Sequence, residues 1–395
     1  MITDIVLKGL RIVNHNSTMK NFKIGILGGG QLAKMTAQEA RKMGFEVFVL
    51  DPTPDCPASM VAKQIVGDFR KTDDVKKLLE VSDVITYDIE NVDTSPLKSI
   101  KDRVFPSPDI LDIIQDKLVQ KKFLSKHSLP TPNFKEINSV EDIDIFPCVQ
   151  KARRGGYDGR GTYVIKTKED LTNAIKSPSY IEEFVEIDKE LAVMVARNGR
   201  GDVSVFPVVE MVFDSRANIL DFLLAPARIS EKVEKEIKEI SIETIKALEG
   251  VGVFGIEFFL TKRGDVLINE IAPRPHNSGH YTIEACMTSQ FEQHIRAILG
   301  LPLGSTELLI PSVMINLLGE EGYYGEPVYE GFDKVLEISG VYVHIYGKKE
   351  TKPFRKMGHI TIVDRDLNKA IDKAKVVKSL IKVKGDRYEG RNNNG

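Results

Sequence analysis

FGIEFFLTKRGDVLINEI, residues 254–271, sets two glutamates inside two apolar runs. Each run reads as a strand, and TKRG between them reads as a turn. A tight hairpin centred on Arg263-Gly264 faces Lys262 with Asp265, and counting outward sets Glu257 opposite Glu270. Directly opposed residues hold their Cβ atoms about 5 Å apart, and like charges there destabilise a sheet. Two carboxylates flanked by Phe, Ile and Leu therefore call for a cation between them. Oxygen ligands favour Mg²⁺, shared with the phosphates of a nucleotide. A register different by one residue turns one glutamate outward and removes the site.

Beyond Glu270 the chain runs into IAPRPHNSGH (271–280). Two prolines stiffen it, so Arg274, His276, Asn277, Ser278 and His280 project from a fixed loop. Arg supplies a fork for carboxylate or phosphate, and Asn and Ser add neutral hydrogen bonds. His280 has a second reading, as a cap for the following helix. KARRGGYDGRG (151–161) holds four glycines and four positive charges around Tyr157-Asp158. Such loops hold phosphate, yet the G-K-[ST] ending of a P-loop is missing. YGKKETKPFRKMGH (346–359) is a basic segment in which Lys348 and Arg355 suit a phosphorylated substrate.

Upstream, the strand KIGIL (23–27) enters GGGQLA, then a helical pattern with Leu32, Met35, Ala40 and Met43 on one face. EVFVL (46–50) and VITYDI (84–89) are further strands, so the first hundred residues read as a Rossmann-like parallel unit. Gly28, Gly30 and Ala33 satisfy G-x-G-x-x-[GA], with Asp51 near the offset of a ribose-binding acid. A dinucleotide site, a packing turn and a site for another phosphate all fit that pattern. A single helix is expected over 110–127, broken by SLPTPNF. β-rich segments follow, then a charged helix over 231–249, the hairpin, and a small αβ tail after LGLPLGS (299–305).

The chain has 395 residues, 42% of them hydrophobic, and a formal net charge of −2. That suits two or three globular domains and gives no basic field for nucleic acid. Cys56, Cys148 and Cys286 lie far apart, without metal or disulfide spacing. No apolar run reaches membrane-spanning length. Residues 1–19 are expected to be a flexible N-terminal extension, with Met19 before the first convincing strand, and 389–395 a disordered tail.

GGGQLA, TYDIEN, KARRGGYDGRG, YIEEFVE, NEIAPRPHNSGH, PSVMINLLG and YGK…RKMGH occur in that order. Together they resemble the N5-carboxyaminoimidazole ribonucleotide synthase family of ATP-grasp ligases, from about residue 20 to about residue 385. The resemblance implies an α/β and α+β architecture: a Rossmann-like domain (20–117), an ATP-grasp domain (118–300) and a small αβ C-terminal domain (301–388). It implies a cytoplasmic homodimer of purine biosynthesis that binds neither nucleic acid nor membrane. The implied substrates are ATP, bicarbonate and 5-aminoimidazole ribonucleotide, with two Mg²⁺ ions that Mn²⁺ could replace. Bicarbonate attacks the γ-phosphate, and the resulting carboxyphosphate, or CO₂ from it, carboxylates the aminoimidazole amine.

By the same resemblance Lys117, Lys151, Gly156, Gly159 and Gly161 meet ATP phosphates. Glu182, Glu183 and Val185 lie on the adenine hinge, Glu190 on the ribose, and Glu210 and Asn269 on the nucleotide side. Strand alternation points Asn269 away from Glu270. Glu257 and Glu270 match the metal carboxylates. Gly30, Gln31, Leu32, Glu90, Asn277, Ser278 and Arg355 fall to the ribonucleotide, and Tyr157, Asp158, Arg160, Arg274, His276 and Lys348 to catalysis. Asp158 is expected to bond the amine or orient Arg160, and to accept a proton. This chain has Lys117 where the family often has Arg, Asp88 where Glu is common, and its own Ala152 and Arg154 at variable positions. Rival readings are a formate-dependent glycinamide ribonucleotide transformylase on the same scaffold, an NAD-dependent dehydrogenase and a nucleotide-binding regulator.

Overall fold

The computed structural model describes residues 22–155, 161–214 and 219–387. The expected extension and tail, and Gly156, Tyr157, Asp158, Gly159 and Arg160, lie outside the described residues. The first lobe contains β1 (Lys23–Leu27), α1 (Gln31–Lys42), β2 (Glu46–Asp51), β3 (Lys63–Val66), α2 (Thr72–Val81) and β4 (Val84–Tyr87). Its sheet is parallel, in the order β3-β2-β1-β4. β4 is buried at every position, as a parallel strand covered on both faces must be.

Two helices follow, α3 (Pro108–Gln115) and α4 (Lys117–Lys126), where one was expected over 110–127. Asp116 makes the break: its backbone is extended, and its carboxylate accepts from Leu118 N at 3.1 Å and Val119 N at 3.3 Å. That is an N-cap, hidden in the sequence because the Ile/Leu spacing continues through it. Next comes a small antiparallel sheet of β5 (Phe134–Glu136), β6 (Cys148–Ala152), β7 (Thr162–Ile165) and β8 (Ser179–Glu183), in the order β5-β8-β6-β7.

The largest sheet begins with β9 (Ile187–Arg197), β10 (Val203–Val205), β11 (Val209–Asp214) and β12 (Ile219–Ala225). After α5 (Glu231–Ala247) come β13 (Gly252–Thr261) and β14 (Val266–Ala272), then α6 (Thr282–Ala285) and α7 (Gln290–Ile298). The C-terminal part holds β15 (Ser312–Leu318), β16 (Tyr323–Glu330), α8 (Phe332–Leu336), β17 (Val341–Ile345), β18 (Lys356–Val363), α9 (Leu367–Leu380) and β19 (Lys382–Arg387). The order is β14-β13-β9-β11-β12-β15-β18-β17, with β10 beside β9. β12 pairs with β15 through Leu223–Met314 and Ala225–Ser312. The boundary expected at residue 300 is therefore no break in the sheet, and β12 is spared an open edge.

One face of this sheet packs Leu191, Val193, Phe254, Ile256 and Phe258 against Ile237, Ile240 and Ile245 of α5. Each such fully buried side chain stabilises by about 1.5–3 kcal/mol. That face is closed, so the opposite one is left for a site. α7 ties the first lobe on: Ile295 and Ile298 pack with Ala33, Ala37 and Ala40 of α1. Among the described residues no helix is long and apolar enough to cross a membrane.

Candidate active site

Glu257 does face Glu270 across the β13–β14 hairpin. The route differs from the simple count. Thr261, not Lys262, faces Asp265, with Thr261 N bonded to Asp265 O at 2.9 Å. Gly264 completes the wider turn at φ +91°, a left-handed conformation that glycine adopts without strain. The register is thereby displaced by one at Phe258–Ile268, and a bulge restores it at Glu257–Glu270. The extra residue is Asn269. A bulge re-aims side chains, and Asn269 Oδ1 accepts from Lys151 Nζ at 2.9 Å. Asn269 thus joins the site that strict alternation denied it.

Strand pairing gives the same sheet face to Glu257, Phe259 and Glu190. Burial pushes the Glu257 carboxyl up from its ordinary range, and the Glu270 and Glu190 charges add to this. Burial also raises Glu190. At Glu270 burial is overcome by Lys117, whose Nζ lies 2.6 Å from Oε2, so this carboxyl is held low. Among the described residues no group of three or more His, Cys, Asp or Glu is placed to hold a metal. The pair instead fits an ion that takes one or two carboxylates and completes its shell with phosphate oxygens and water, as Mg²⁺ does.

Lys151 Nζ lies 2.8 Å from Glu182 Oε2 and 5.8 Å from the Phe259 ring centre. Glu182 is also held by Lys121 Nζ and Tyr180 O–H, both on Oε1, at 2.9 and 3.1 Å. Burial pushes the Lys121 ammonium down to about 8, against the pull of Glu182. Both Glu182 oxygens are therefore engaged within the protein. Glu183 accepts from Asn133 N and Nδ2, each at 3.0 Å. With these side chains occupied, the β8–β9 link, which includes Val185, has its backbone to offer an adenine. Glu210 pairs with Leu191, on the α5 face of the sheet, and is bound there by Lys189 and Arg228. The structure does not bring its side chain to Glu190 and Glu257. Arg153 also turns away from the cleft: Nη2 binds the Asp116 cap at 2.7 Å. Gly161 O accepts from Ala152 N at 2.8 Å, closing the base of the glycine-rich loop.

A second group of residues adjoins the first through the 271–280 loop. Arg274 Nη2 reaches Glu90 Oε1 at 2.7 Å, and its Nε is buried without a hydrogen-bond partner among the described residues. His276 Nε2 stands 3.8 Å from Glu257 Oε1, and its Nδ1 meets Ser278 Oγ at 2.8 Å. Asn277 exchanges amide hydrogen bonds with Asn316 of β15. His280 packs against His359 with ring centres 4.5 Å apart and the rings tilted by 33°, so it packs between domains instead of capping α6. Lys34 Nζ donates to Ile345 O and Tyr346 O, while Leu32 packs with Tyr346 and Phe291. Gly30, Gln31 and Leu32 are thus brought toward the Lys348 segment. Lys348 Nζ donates to Lys356 O at 2.7 Å, and Arg355 Nη1 donates to Glu350 O at 2.8 Å.

The glycine turn is not a dinucleotide site. Asp88 accepts from Gly30 N at 3.0 Å and Ala33 N at 2.6 Å. Asp51 accepts from Gly29 N and Thr53 N, both at 2.8 Å. The amides that would meet a pyrophosphate are spent on internal carboxylates, and Asp51 is spent with them. That removes the dehydrogenase reading. Gly30 is required by the close approach, since a Cβ there would stand 2.6 Å from Asp88 Oδ2. Asp88→Ala should lower stability by about 1–2 kcal/mol, the cost of a lost N-cap. Denaturant unfolding checks this, and an unchanged midpoint contradicts it.

Sequence reasoning missed the roles of Lys121, Asp116 and Asp88. Lys121 follows Lys117 by four residues, a spacing that puts both on one helix face. Asp116 directly precedes the lysine-bearing helix, as an N-cap does. Asp88 stands in the TYDIEN segment, but nothing local shows that its carboxylate turns to the Gly30 and Ala33 amides.

Three family models match the chain: the ribonucleotide synthetase preATP-grasp domain over residues 19–115, the ATP-grasp domain over 122–291 and the phosphoribosylaminoimidazole carboxylase C-terminal domain over 312–373. The chain is similar to the N5-carboxyaminoimidazole ribonucleotide synthase of Bacillus subtilis, 39% identical over 86% of this chain and 91% of that protein. Its structure resembles the N5-carboxyaminoimidazole ribonucleotide synthetase of Thermotoga maritima, with a TM-score of 0.87 and 57% identity over 92% of this chain and 100% of that one. It also resembles the Aspergillus clavatus synthase solved with ADP and 5-aminoimidazole ribonucleotide, with a TM-score of 0.83 and 32% identity over 91% and 98% of the two chains.

Proposed function

The chain belongs to the N5-carboxyaminoimidazole ribonucleotide synthase family, and from that premise we propose how its cleft performs the reaction. It is an ATP-dependent ligase that carboxylates 5-aminoimidazole ribonucleotide in purine biosynthesis. Bicarbonate as the carbon source, Mg²⁺ or Mn²⁺ as the metal, two ions in the site, a homodimeric assembly and a cytoplasmic location complete the proposed reading. The observation that carries it is the opposed Glu257–Glu270 pair, flanked by Lys117 and Lys151 on one side and by the His276–Arg274 loop on the other.

Glu257 and Glu270 hold the metal, which when bound neutralises charge on the transferring phosphoryl group. Lys117 and Lys151 bind ATP phosphates and orient the γ-phosphate. Asn269 fixes the Lys151 ammonium for that task. The β8–β9 link meets adenine through its backbone, and Glu190 takes the ribose hydroxyls. Arg274 and His276 hold bicarbonate in line, turning an encounter into an oriented reaction. A bicarbonate oxygen bonds to the γ-phosphorus as the bond to ADP breaks, giving carboxyphosphate. The aminoimidazole nitrogen then bonds to the carboxyl carbon, phosphate leaves, and Asp158 takes the amine proton. Asn277, Ser278, Glu90, Lys348, Arg355 and the Gly30–Leu32 turn hold the ribonucleotide. The match of the C-terminal strands to a carboxylase domain supports this over formate-dependent transformylation.

Bicarbonate labelled with ¹⁸O tests the route. One label should pass from bicarbonate into inorganic phosphate with each turnover. Label-free phosphate alongside carboxylated product would rule out attack on the γ-phosphate.

A further inference from the structure

Lys121 lies beneath the nucleotide face and has no part in the chemistry above. Its Nζ stands 2.9 Å from Glu182 Oε1, 2.6 Å from Thr131 Oγ1 and 3.3 Å from Ile268 O. The side chains of Lys121 and Glu182 are each 2% exposed. A buried ion pair is an unpromising source of stability, because desolvating two charges offsets their attraction. Its use must be sought in what it does to a neighbour, and that neighbour is Lys151. Glu182 Oε2 holds Lys151 at 2.8 Å, and Asn269 Oδ1 holds the same ammonium at 2.9 Å.

The charges decide the matter. Glu182 alone would pair one-to-one with Lys151 and cancel its charge. With Lys121 present, one carboxylate stands between two ammonium groups, and the triad keeps one net positive charge. That charge resides on Lys151, at the cleft end, since its side chain is 11% exposed and Lys121 is sealed in. Tyr180 and Lys121 also share Oε1, leaving Oε2 directed at Lys151. We propose that Lys121 is a positioning residue for ATP: it neutralises Glu182, so that the same carboxylate fixes Lys151 without quenching its charge toward the phosphates. Lys121 never touches the nucleotide. The inference rests on the reading of Lys151 as a phosphate ligand.

The test is calorimetric binding of MgADP to the full chain, in the wild type and in K121M, E182Q and K121M/E182Q, each checked by a thermal melt. K121M leaves Glu182 to neutralise Lys151 and should weaken MgADP about 10–100-fold, the reach of a single displaced charge-assisted contact. Adding E182Q removes the surplus negative charge, so the double variant should bind within about threefold of E182Q alone. Such non-additivity is the mark of a coupled pair. If K121M does not fold, the comparison of K121M/E182Q with E182Q carries the test, and a tenfold difference overturns the proposal. K121M binding like the wild type, or losses that simply add, overturn it as well. Wild-type protein that binds no MgADP at all overturns the phosphate reading of Lys151, and this proposal with it.

Discussion

Glu257→Gln should lower MgATP-dependent turnover by at least about 10²-fold, the scale of removing one preorganised electrostatic group, while making the protein more stable. The two effects share one cause. Glu257 faces Glu270 and shares a sheet face with Glu190, and without a cation these carboxylates repel one another at close range. Glutamine keeps the shape and removes a charge. Burial, reinforced by Glu270 and Glu190, raises the Glu257 carboxyl above its unfolded value. A raised acid means that the folded state binds its proton more tightly. The stability tied to that proton is full below the unfolded carboxyl range, near pH 4, and drains away as pH rises through the raised value. The amide does not titrate, so the advantage of Glu257→Gln should widen from pH 5 to pH 9. A relief of about 1 kcal/mol shifts a melting temperature by about 2–4 °C in larger domains. Metal-free melts at both pH values, beside ADP release, check the claim. A variant that turns over normally, or that melts lower than wild type at pH 9, contradicts it.

Arg274→Met should cut kcat/KM for the ribonucleotide by about 10²–10³-fold and leave MgADP affinity within about threefold. Arg274 binds Glu90 at 2.7 Å, yet its Nε has no partner among the described residues. A buried donor in want of an acceptor is costly, and an anionic substrate beside it would satisfy it. Losing the guanidinium removes that contact and leaves the part-exposed Glu90 carboxylate facing the anionic substrate, and losing one preorganised charged donor costs about 10²–10³-fold. The split between the two ligands is the informative part, because Arg274 is held by Glu90 while Lys151 is held by Glu182 and Asn269. Equal losses for both ligands would indicate general damage to the fold.

The hairpin shows what a sequence yields and where it stops. Alternation and a turn signal were enough to oppose Glu257 and Glu270. The turn lies one place away from the simple count, and the bulge at Asn269 compensates for it. No local signal marks that bulge, because a bulge is decided by which side chains the partner lobe needs, here Lys151. The break at Asp116 was masked because apolar spacing continues from Ile114 to Leu118 while the cap depends on a single polar atom. The GGGQLA turn matched a dinucleotide pattern by its glycines. Two carboxylates from distant strands decide what those amides bind, and that placement exists only in the fold. In the same way Glu182 was readable as a hinge residue, but not as a carboxylate fully engaged by Lys121, Tyr180 and Lys151.

In the proposed reading one cleft couples ATP cleavage to carboxylation of 5-aminoimidazole ribonucleotide. ADP release measured with bicarbonate and the ribonucleotide, and with each omitted in turn, tests it most directly. Full release should occur only with both, matched mole for mole by carboxylated product, and none should occur with formate and glycinamide ribonucleotide. Release that needs formate, or that is indifferent to the aminoimidazole ribonucleotide, would contradict it.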